Sequence, residues 1–167
     1  MNVAGEVRTV HQLTWGDIQQ HVASVTAAIT RDGSPEAIVA IARGGLIPAV
    51  LLAHRFGCRD LRTLNFTHTT TDAVHADKTT SPVLTGVLAV DGLAGRDVLL
   101  VDDIAGSGDT LAAARHLLSH TAAARRLRTV VLVVNTANWT RHQQAPTYVG
   151  HRVEGWVTFP WEQPTST

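Results

Sequence analysis

Two adjacent aspartates stand at the end of an apolar run and lead into a loop of small residues. Asp102 and Asp103 follow the sequence Val-Leu-Leu-Val and are followed by Ile-Ala-Gly-Ser-Gly-Asp-Thr. Glycines let the backbone approach a ligand closely, and the N–H groups that begin a following helix attract an anion. Carboxylates beside such a loop can bind a hard cation or accept hydrogen bonds from sugar hydroxyls. The segment 102–110 therefore predicts a phosphate site, and the competing interpretation is a plain strand–turn–helix corner capped by Ser107.

A second strand end carries an arginine and two glycines. Arg43, Gly44 and Gly45 follow the apolar run 37–42 and precede a helical pattern. Such a sequence binds anions when its backbone N–H groups converge, and it also suits a simple turn at the start of a helix. In open α/β sheets, ligands bind beyond the carboxyl ends of the strands, so both segments lie where a ligand site is expected.

The apolar pattern around these segments predicts alternating helices and buried strands. Thr14 and Asp17 have the spacing of a capping box, and the apolar residues after them recur at steps that predict an amphipathic helix. The further predicted helices are 46–56 and 111–120, and the predicted strands are 37–42, 61–66, 97–103 and 129–134. Continuous apolar strands that alternate with helices indicate an α/β fold with a parallel sheet covered on both faces.

Composition limits the class of protein. The chain has 167 residues, 44% of them apolar, which is typical of one globular domain. Basic and acidic residues number 14 each, so no overall charge favours nucleic acid or an anionic membrane. The sequence has neither an apolar run of the roughly 20 residues that span a bilayer nor a secretory signal. Cys58 is the single cysteine, which excludes an internal disulfide and a thiolate metal cluster, and we expect a cytoplasmic protein.

The segment 102–110 resembles the phosphoribosyl diphosphate (PRPP) signature of type I phosphoribosyltransferases: an apolar run, two acids, a short Ser/Thr-Gly loop and a threonine. The resemblance implies the parallel-sheet α/β fold of that family, as one domain over residues 1–167. It makes Asp102 and Asp103 the expected catalytic residues, which hold the ribose hydroxyls directly or through Mg²⁺, with Asp103 as the metal residue. The loop expected to hold the ribose 5-phosphate comprises Gly106, Ser107, Gly108, Asp109 and Thr110, and Ala105 directly before it is also expected to bind PRPP.

Two further matches are closest to the xanthine–guanine branch of this family. The Arg-Gly-Gly-Leu-Ile-Pro sequence resembles that branch's pyrophosphate loop, which implies that Arg43, Gly44 and Gly45 bind PRPP and that the Ala42–Arg43 peptide is cis. The sequence Gly-Trp-Val-Thr-Phe-Pro-Trp at 155–161 resembles its C-terminal segment.

The C-terminal match implies a role in binding the base. Trp156 is expected to stack on a purine, with Val157 beside it, whereas we expect Trp161 to pack the segment onto the domain. Residues 148–167 are therefore expected to form a base-binding segment.

The Thr-rich stretch 67–81 falls where the family has a mobile hood over the site. Such a lid excludes water from a reactive intermediate, and an unstructured surface loop without a role is the alternative interpretation. His68 and His75 lie in this stretch and are the histidines we would consider as substitute acids.

Two positions depart from the family pattern. The purine enzymes carry a third aspartate that exchanges a proton with N7 of the base, and Gly106 occupies that position here. They carry a lysine for the purine 6-oxo group, and here Asn135 takes its place in the expected base site. Glycine offers no general acid or base, and an amide brings no charge. The sequence therefore supports PRPP chemistry more strongly than it supports a purine.

These features predict a Mg²⁺-dependent phosphoribosyltransferase that moves ribose 5-phosphate from PRPP to a nitrogen heterocycle, a purine or purine-like base, and releases pyrophosphate. One alternative is a non-catalytic PRPP- or nucleotide-binding regulatory protein of the same fold. A generic phosphate-binding hydrolase or mutase is a second alternative, for which the sequence has no nucleophile motif. We expect a homo-oligomer, dimer or tetramer, without nucleic-acid or membrane partners.

Overall fold

The structure, a computed structural model, describes residues 9–69, 78–86, 89, 91–140 and 142–162. Its elements in chain order are β1 (Val10–Gln12), α1 (Trp15–Asp32), β2 (Ala37–Ala42), α2 (Leu46–Phe56), β3 (Leu61–Thr69), β4 (Lys78–Leu84), β5 (Asp97–Ala105), α3 (Asp109–Thr121), β6 (Arg126–Asn135), β7 (Tyr148–Val153) and β8 (Trp156–Thr158). Within these ranges, no helix combines the length and the apolar character needed to cross a membrane.

Six strands form the central sheet, in the order β4-β3-β2-β5-β6-β7. Neighbouring strands from β3 to β7 run parallel, and the edge strand β4 runs antiparallel to β3. The predicted α/β fold with a mainly parallel sheet is confirmed. Because parallel strands share one direction, the carboxyl ends of β2, β5 and β6 lie side by side at one edge of the sheet.

Alternate side chains of the central strands pack into two separate cores. Ile38 and Ala40 of β2 lie in the core that α1 and α2 cover, whereas Val39 and Ile41 lie in the core that α3 covers. Since both faces of these strands are buried, they appear in the sequence as continuous apolar runs rather than alternating ones.

Helix α1 begins as its sequence predicts. Thr14 accepts a hydrogen bond from the backbone N–H of Asp17, and the Asp17 carboxylate accepts one from the backbone N–H of Thr14. The buried face of the helix consists of Ile18, Val22, Val25 and Ile29. Helix α2 also spans the predicted residues, Leu46–Phe56.

A second, two-stranded sheet joins the beginning of the described chain to its end. Strand β1 pairs in parallel with β8, and Val10 lies opposite Trp156. Short strands of three residues carry no periodic pattern, so the sequence did not predict this sheet. Trp161 packs against the core and its ring stacks on Phe159 with centroids 4.6 Å apart, which confirms its predicted packing role.

The Thr-rich stretch contains more strand than its sequence predicts. Residues 67–69 belong to β3 and residues 78–81 to β4, so the two ends of the predicted hood stretch 67–81 lie in strands of the sheet. Threonine is β-branched and favours strands, which explains the extension. The rest of the predicted hood, residues 70–77 with His75, lies outside the described residues.

Candidate active site

The two predicted ligand segments meet at the carboxyl edge of the sheet. Strands β2 and β5 are direct neighbours, with Ala40 opposite Val101, so the loops that follow them emerge together. The Ala42–Arg43 peptide is cis, as the resemblance implies. A Cβ at Gly44 would overlap Oδ2 of Asp103, so the close approach of this loop to the acid pair requires glycine.

Gly45 is held as tightly as its neighbour. A Cβ at this position would lie 2.5 Å from the carbonyl oxygen of Ile41 and 2.6 Å from that of Val101. The Gly45 N–H donates to the Ile41 carbonyl at 3.0 Å, which closes the turn. Both glycines therefore let the Arg43 loop lie directly on the end of β5.

The acid pair is buried at the end of β5. Asp102 is 7% exposed and Asp103 is 9% exposed. Burial raises the pKa of Asp102 well above its ordinary value, and the negative charge of Asp103 raises it further. Burial also raises the pKa of Asp103, and the charge of Glu162 adds to that effect. Because these two carboxylates are shielded from water, they interact strongly with a positive charge that binds beside them.

The loop after the acid pair leads directly into helix α3. Gly108 adopts a left-handed conformation with φ of +89°, and the helix begins at Asp109. The Ser107 hydroxyl donates to Oδ2 of Asp109 at 2.8 Å. The loop 106–110 therefore presents its backbone at the N-terminus of α3, where the direction of the N–H groups and the helix dipole favour a phosphate.

Residues after β6 support this loop, and sequence reasoning missed them. The Thr140 hydroxyl donates to the Ser107 carbonyl at 2.9 Å, and the Gln143 amide donates to Oδ1 of Asp109 at 2.7 Å. A Cβ at Gly108 would lie 2.9 Å from the Trp139 ring. The sequence does carry a signal for this support. Trp139, a large aromatic residue, stands in a polar segment directly after β6, the strand that neighbours β5.

The predicted base-binding residues lie next to the phosphate loop. Ala105 pairs with Val134, so the residues that follow them, Gly106 and Asn135, are neighbours at the strand ends. A Cβ at Gly106 would meet no atom within 4 Å, so this position opens onto free space. The amide of Asn135 donates to the Gly155 carbonyl at 2.6 Å, which attaches the C-terminal segment at this point.

Trp156 and Val157 are placed differently from each other. The Trp156 side chain is 60% exposed, which leaves an aromatic face available to a planar ligand. The Val157 side chain is 6% exposed and belongs to the core, so only its backbone could contact a base.

The acid pair suits a metal ion that arrives with its own oxygen ligands. Among the described residues, no three histidine, cysteine, aspartate or glutamate side chains form a metal site. Mg²⁺ is commonly bound through one or two protein carboxylates together with substrate phosphates, and it prefers hard oxygen donors. Asp102 and Asp103 supply such carboxylates beside two predicted phosphate-binding loops, so the donor set fits Mg²⁺.

Comparison with known proteins identifies the family of this chain. The phosphoribosyl transferase domain family matches residues 13–165. The xanthine-guanine phosphoribosyltransferase of Gluconobacter oxydans is 29% identical over 165 residues, which cover 93% of this chain and 87% of that protein. The enzyme of the same name from Nitratidesulfovibrio vulgaris is 27% identical over 118 residues, which cover 71% and 68% of the two chains.

A solved structure agrees with these sequence matches. The purine phosphoribosyltransferase from Pyrococcus horikoshii superposes with a TM-score of 0.78 at 28% identity, over 95% of this chain and 97% of that one. The family match spans both loops, the acid pair and the C-terminal segment. The chain therefore belongs to the type I phosphoribosyltransferase family of enzymes, on its purine branch.

Proposed function

We propose that this chain is a Mg²⁺-dependent phosphoribosyltransferase that moves ribose 5-phosphate from PRPP to a purine or purine-like base and releases pyrophosphate. The observation that carries the proposal is the contact between Gly44 and Asp103. This contact brings the Arg43 loop against the acid pair. The loop 106–110 continues from β5, the strand that carries the acid pair, so the three segments form one site. A substrate with a phosphate at one end and a pyrophosphate at the other matches these two loops.

Each end of PRPP has its own loop in this proposal. The pyrophosphate lies against Arg43, Gly44 and Gly45, where a cation and closely approaching backbone stand beside the acid pair. The 5-phosphate lies on residues 106–110 at the start of α3. Asp102 and Asp103 hold the ribose hydroxyls between the two loops, either by accepting their hydrogen bonds or by way of the metal ion.

The acid pair stabilises the charge that develops during transfer. The bond between C1 of the ribose and the pyrophosphate oxygen breaks, and its electron pair leaves with pyrophosphate. A ring nitrogen of the base that has already lost its proton to solvent then forms the new bond to C1 from the opposite face. Positive charge builds up on the ribose ring in between, and the buried carboxylates of Asp102 and Asp103 are oriented in advance to stabilise it. Asp103 would hold Mg²⁺ here, and the ion would neutralise negative charge on the leaving pyrophosphate.

The base lies on the Trp156 side of the site. The exposed indole offers a stacking face, and the backbone of Val157 offers hydrogen-bonding groups beside it. The relatives named for xanthine, guanine and purine substrates support a base of this kind. Because Gly106 and Asn135 bring neither a carboxylate nor a positive charge, we favour a purine-like ring that needs no proton transfer from position 106.

We further propose the arrangement of the whole enzyme. The chain acts in the cytoplasm as a single catalytic domain within a homo-oligomer, a dimer or tetramer. Residues 67–81 act as its hood, and residues 148–167 act as its base-binding segment. No nucleic acid or membrane takes part.

The test is product formation with PRPP and a panel of bases. We expect nucleoside monophosphate and pyrophosphate to form in equal amounts from PRPP and at least one purine or purine analogue. A chelator should abolish the reaction, and added Mg²⁺ should restore it. Binding of PRPP without product from any base would contradict the enzyme proposal and favour the regulatory binding protein. Turnover that is unaffected by chelator would contradict the proposed metal dependence.

A further inference from the structure

The peptide unit between Gly155 and Trp156 is held at both ends. Its carbonyl oxygen accepts a hydrogen bond from the side-chain amide of Asn135 at 2.6 Å. Its N–H donates to the carbonyl oxygen of Thr9 at 2.8 Å. The plane of this peptide is therefore fixed by two residues that lie far from it and from each other in the sequence.

The Asn135 side chain is itself fixed. It is 7% exposed, and its carbonyl oxygen accepts a hydrogen bond from the backbone N–H of Ala137 at 3.1 Å. That bond orients the amide so that its NH₂ group points at the Gly155 carbonyl. A buried donor of this kind is costly to leave unpaired, so the contact with Gly155 is maintained in the folded chain.

The backbone of Gly155, which precedes this peptide, is also restricted. Its φ is +134°, and a Cβ there would overlap the carbonyl oxygen of Thr9. Strand pairing continues beyond this point, since the Leu13 N–H donates to the Thr158 carbonyl at 2.9 Å. The backbone at Trp156 is thus held between the end of β6 and strand β1.

The Trp156 ring is less tightly packed than the ring of Trp161, the other tryptophan of the C-terminal segment. Trp161 is partly buried and stacks on Phe159, whereas the Trp156 side chain is 60% exposed. With most of its surface in solvent, the indole of Trp156 takes its orientation mainly from its backbone.

We propose that Asn135 is a positioning residue for Trp156: its amide fixes the Gly155–Trp156 peptide and so aims the indole that stacks on the base. This inference rests on the proposed function for the stacking role of Trp156. A neutral amide suits the task because it donates one bond to Gly155 and accepts one from Ala137. Position 135 therefore acts on the base through Trp156 and not by direct contact.

A measurement that needs no substrate tests the first half of this proposal. The full chain is labelled with 5-fluorotryptophan, and the fluorine signal of Trp156 is identified by its loss in Trp156→Phe. Asn135→Leu has a similar volume and lacks both amide hydrogen bonds. We expect it to move the Trp156 signal toward that of the free amino acid and to leave the signals of Trp15 and Trp161 in place.

Thr136→Val is the matched control. The Thr136 hydroxyl donates to the Val153 carbonyl at 3.0 Å, so this variant also removes a side-chain bond from β6 to the C-terminal segment, but at another peptide. We expect the fluorine signals of this variant to equal those of the unmodified chain. Gly155→Ala disturbs the same peptide from the Thr9 side and provides a second variant if Asn135→Leu does not fold.

Steady-state kinetics test the second half. In Asn135→Leu, KM for the base should rise roughly tenfold, the scale of one orienting hydrogen bond, while kcat and KM for PRPP stay within about twofold. Gly155→Ala should show the same split, and Thr136→Val should show none.

Three results would overturn the proposal: an unmoved Trp156 signal in both test variants, an equal rise of KM for PRPP and for the base, or an unchanged KM for the base. Absence of turnover in the unmodified chain contradicts the proposed function instead. The fluorine signals still decide whether Asn135 positions Trp156 in that case.

Discussion

Asp102 and Asp103 are placed where a carboxylate is costly to keep charged. Their side chains are less than a tenth exposed, and burial raises the pKa of both. A raised pKa means that the folded chain holds the charged form less favourably than the unfolded chain does, so at neutral pH this pair destabilises the fold. Binding of the proposed metal ion, and the positive charge that develops on the ribose during the proposed transfer, would offset that cost.

We therefore expect Asp102→Asn to lower activity and raise stability together. The amide oxygen can still accept the bond from the Asp103 N–H, but the charge that stabilises the ribose cation is lost. Turnover at saturating PRPP and Mg²⁺ should fall by at least ~10²-fold. The free energy of unfolding, measured by urea denaturation without ligands, should rise by about 1 kcal/mol.

The exposed Asp91→Asn is the control for the loss of one negative charge and should change neither quantity. Undiminished turnover in Asp102→Asn and in Asp103→Asn would remove the acid pair from the mechanism. A loss of stability in Asp102→Asn would show that the charged pair is not a cost to the fold.

Gly106 is a second residue whose surroundings support an experiment. The position opens onto free space, so a side chain fits there without moving its neighbours. We expect Gly106→Asp to raise kcat/KM for guanine or xanthine by at least ~10²-fold, the lower end of what a positioned acid or base contributes.

Gly106→Asn is the matched variant, because asparagine has the same shape as aspartate but cannot act as a general acid or base. It should leave kcat/KM for both purines unchanged. An equal gain in the two variants would mean that the side chain acts by filling space. Native turnover of guanine already near the roughly 1–10³ s⁻¹ typical of enzymes would mean that another group replaces the aspartate.

At the scale of elements, the phosphate loop depends on the segment after β6. Gln143 holds one oxygen of Asp109, and Ser107 holds the other, so the carboxylate is kept within the loop. We expect Gln143→Leu to release Asp109 toward the bound 5-phosphate, where two negative charges repel. Affinity for ribose 5-phosphate, measured by calorimetry, should fall roughly tenfold.

Gln144→Leu replaces the same residue type one position later, on an exposed side chain, and is the control. Its affinity for ribose 5-phosphate should match that of the unmodified chain. Equal affinity in Gln143→Leu would show that Asp109 holds its place without this bond.

Helix α1 carries a pH-dependent contact with β7. The imidazoles of His21 and His151 stack with centroids 4.9 Å apart, and Nε2 of His21 is buried with no hydrogen-bond partner among the described residues. Burial lowers the pKa of His21, His151 lowers it further, and Asp17 partly opposes both effects. Below about pH 6.5 the unfolded chain therefore binds more protons at this position than the folded chain does.

The free energy of unfolding should accordingly fall as the pH decreases from 7 to 5. His21→Phe keeps an aromatic ring for the stack and removes the titrating group, so its stability should fall less over the same range. Urea denaturation at each pH gives the comparison, and His142→Phe, at an exposed histidine, is the control. Parallel curves for His21→Phe and the unmodified chain would contradict the assignment.

The elements that the sequence predicted are those with local signals. The capping box of α1, the bounds of α2 and the buried strands of the sheet follow from spacing and apolar runs. The contacts that complete the site are of another kind. Trp139 against Gly108 and Asn135 against Gly155 depend on which strand ends are neighbours, and a single sequence does not display that order.

At the scale of the whole molecule, the two edges of the sheet differ in how their buried carboxylates are paired with arginines. The acid pair at the carboxyl edge has no arginine salt bridge among the described residues, whereas Asp97 at the other edge pairs with Arg126 and Arg128. Arg128 is 4% exposed and also donates to the Tyr148 hydroxyl at 3.0 Å. This paired edge joins β5, β6 and β7 far from the proposed chemistry.

Removing one partner of the buried pair should affect stability alone. We expect Asp97→Asn to lower the free energy of unfolding by about 3 kcal/mol, because Arg128 is left buried without its counter-charge. KM for PRPP should not change. Glu36→Gln is the control, since its partner Arg125 is exposed and a solvent-exposed ion pair contributes little to stability. Equal losses in the two variants would contradict the role given to burial.

The pairing of β1 with β8 has a consequence for how the protein is made. Synthesis runs from the first residue onward, so the strands that carry both phosphate-binding loops leave the ribosome before β8 does. Trp156, the first residue of β8, takes its position only when β8 pairs with β1. A nascent chain thus completes the strands that carry the proposed phosphate-binding loops before Trp156, the proposed base-stacking residue, takes its position.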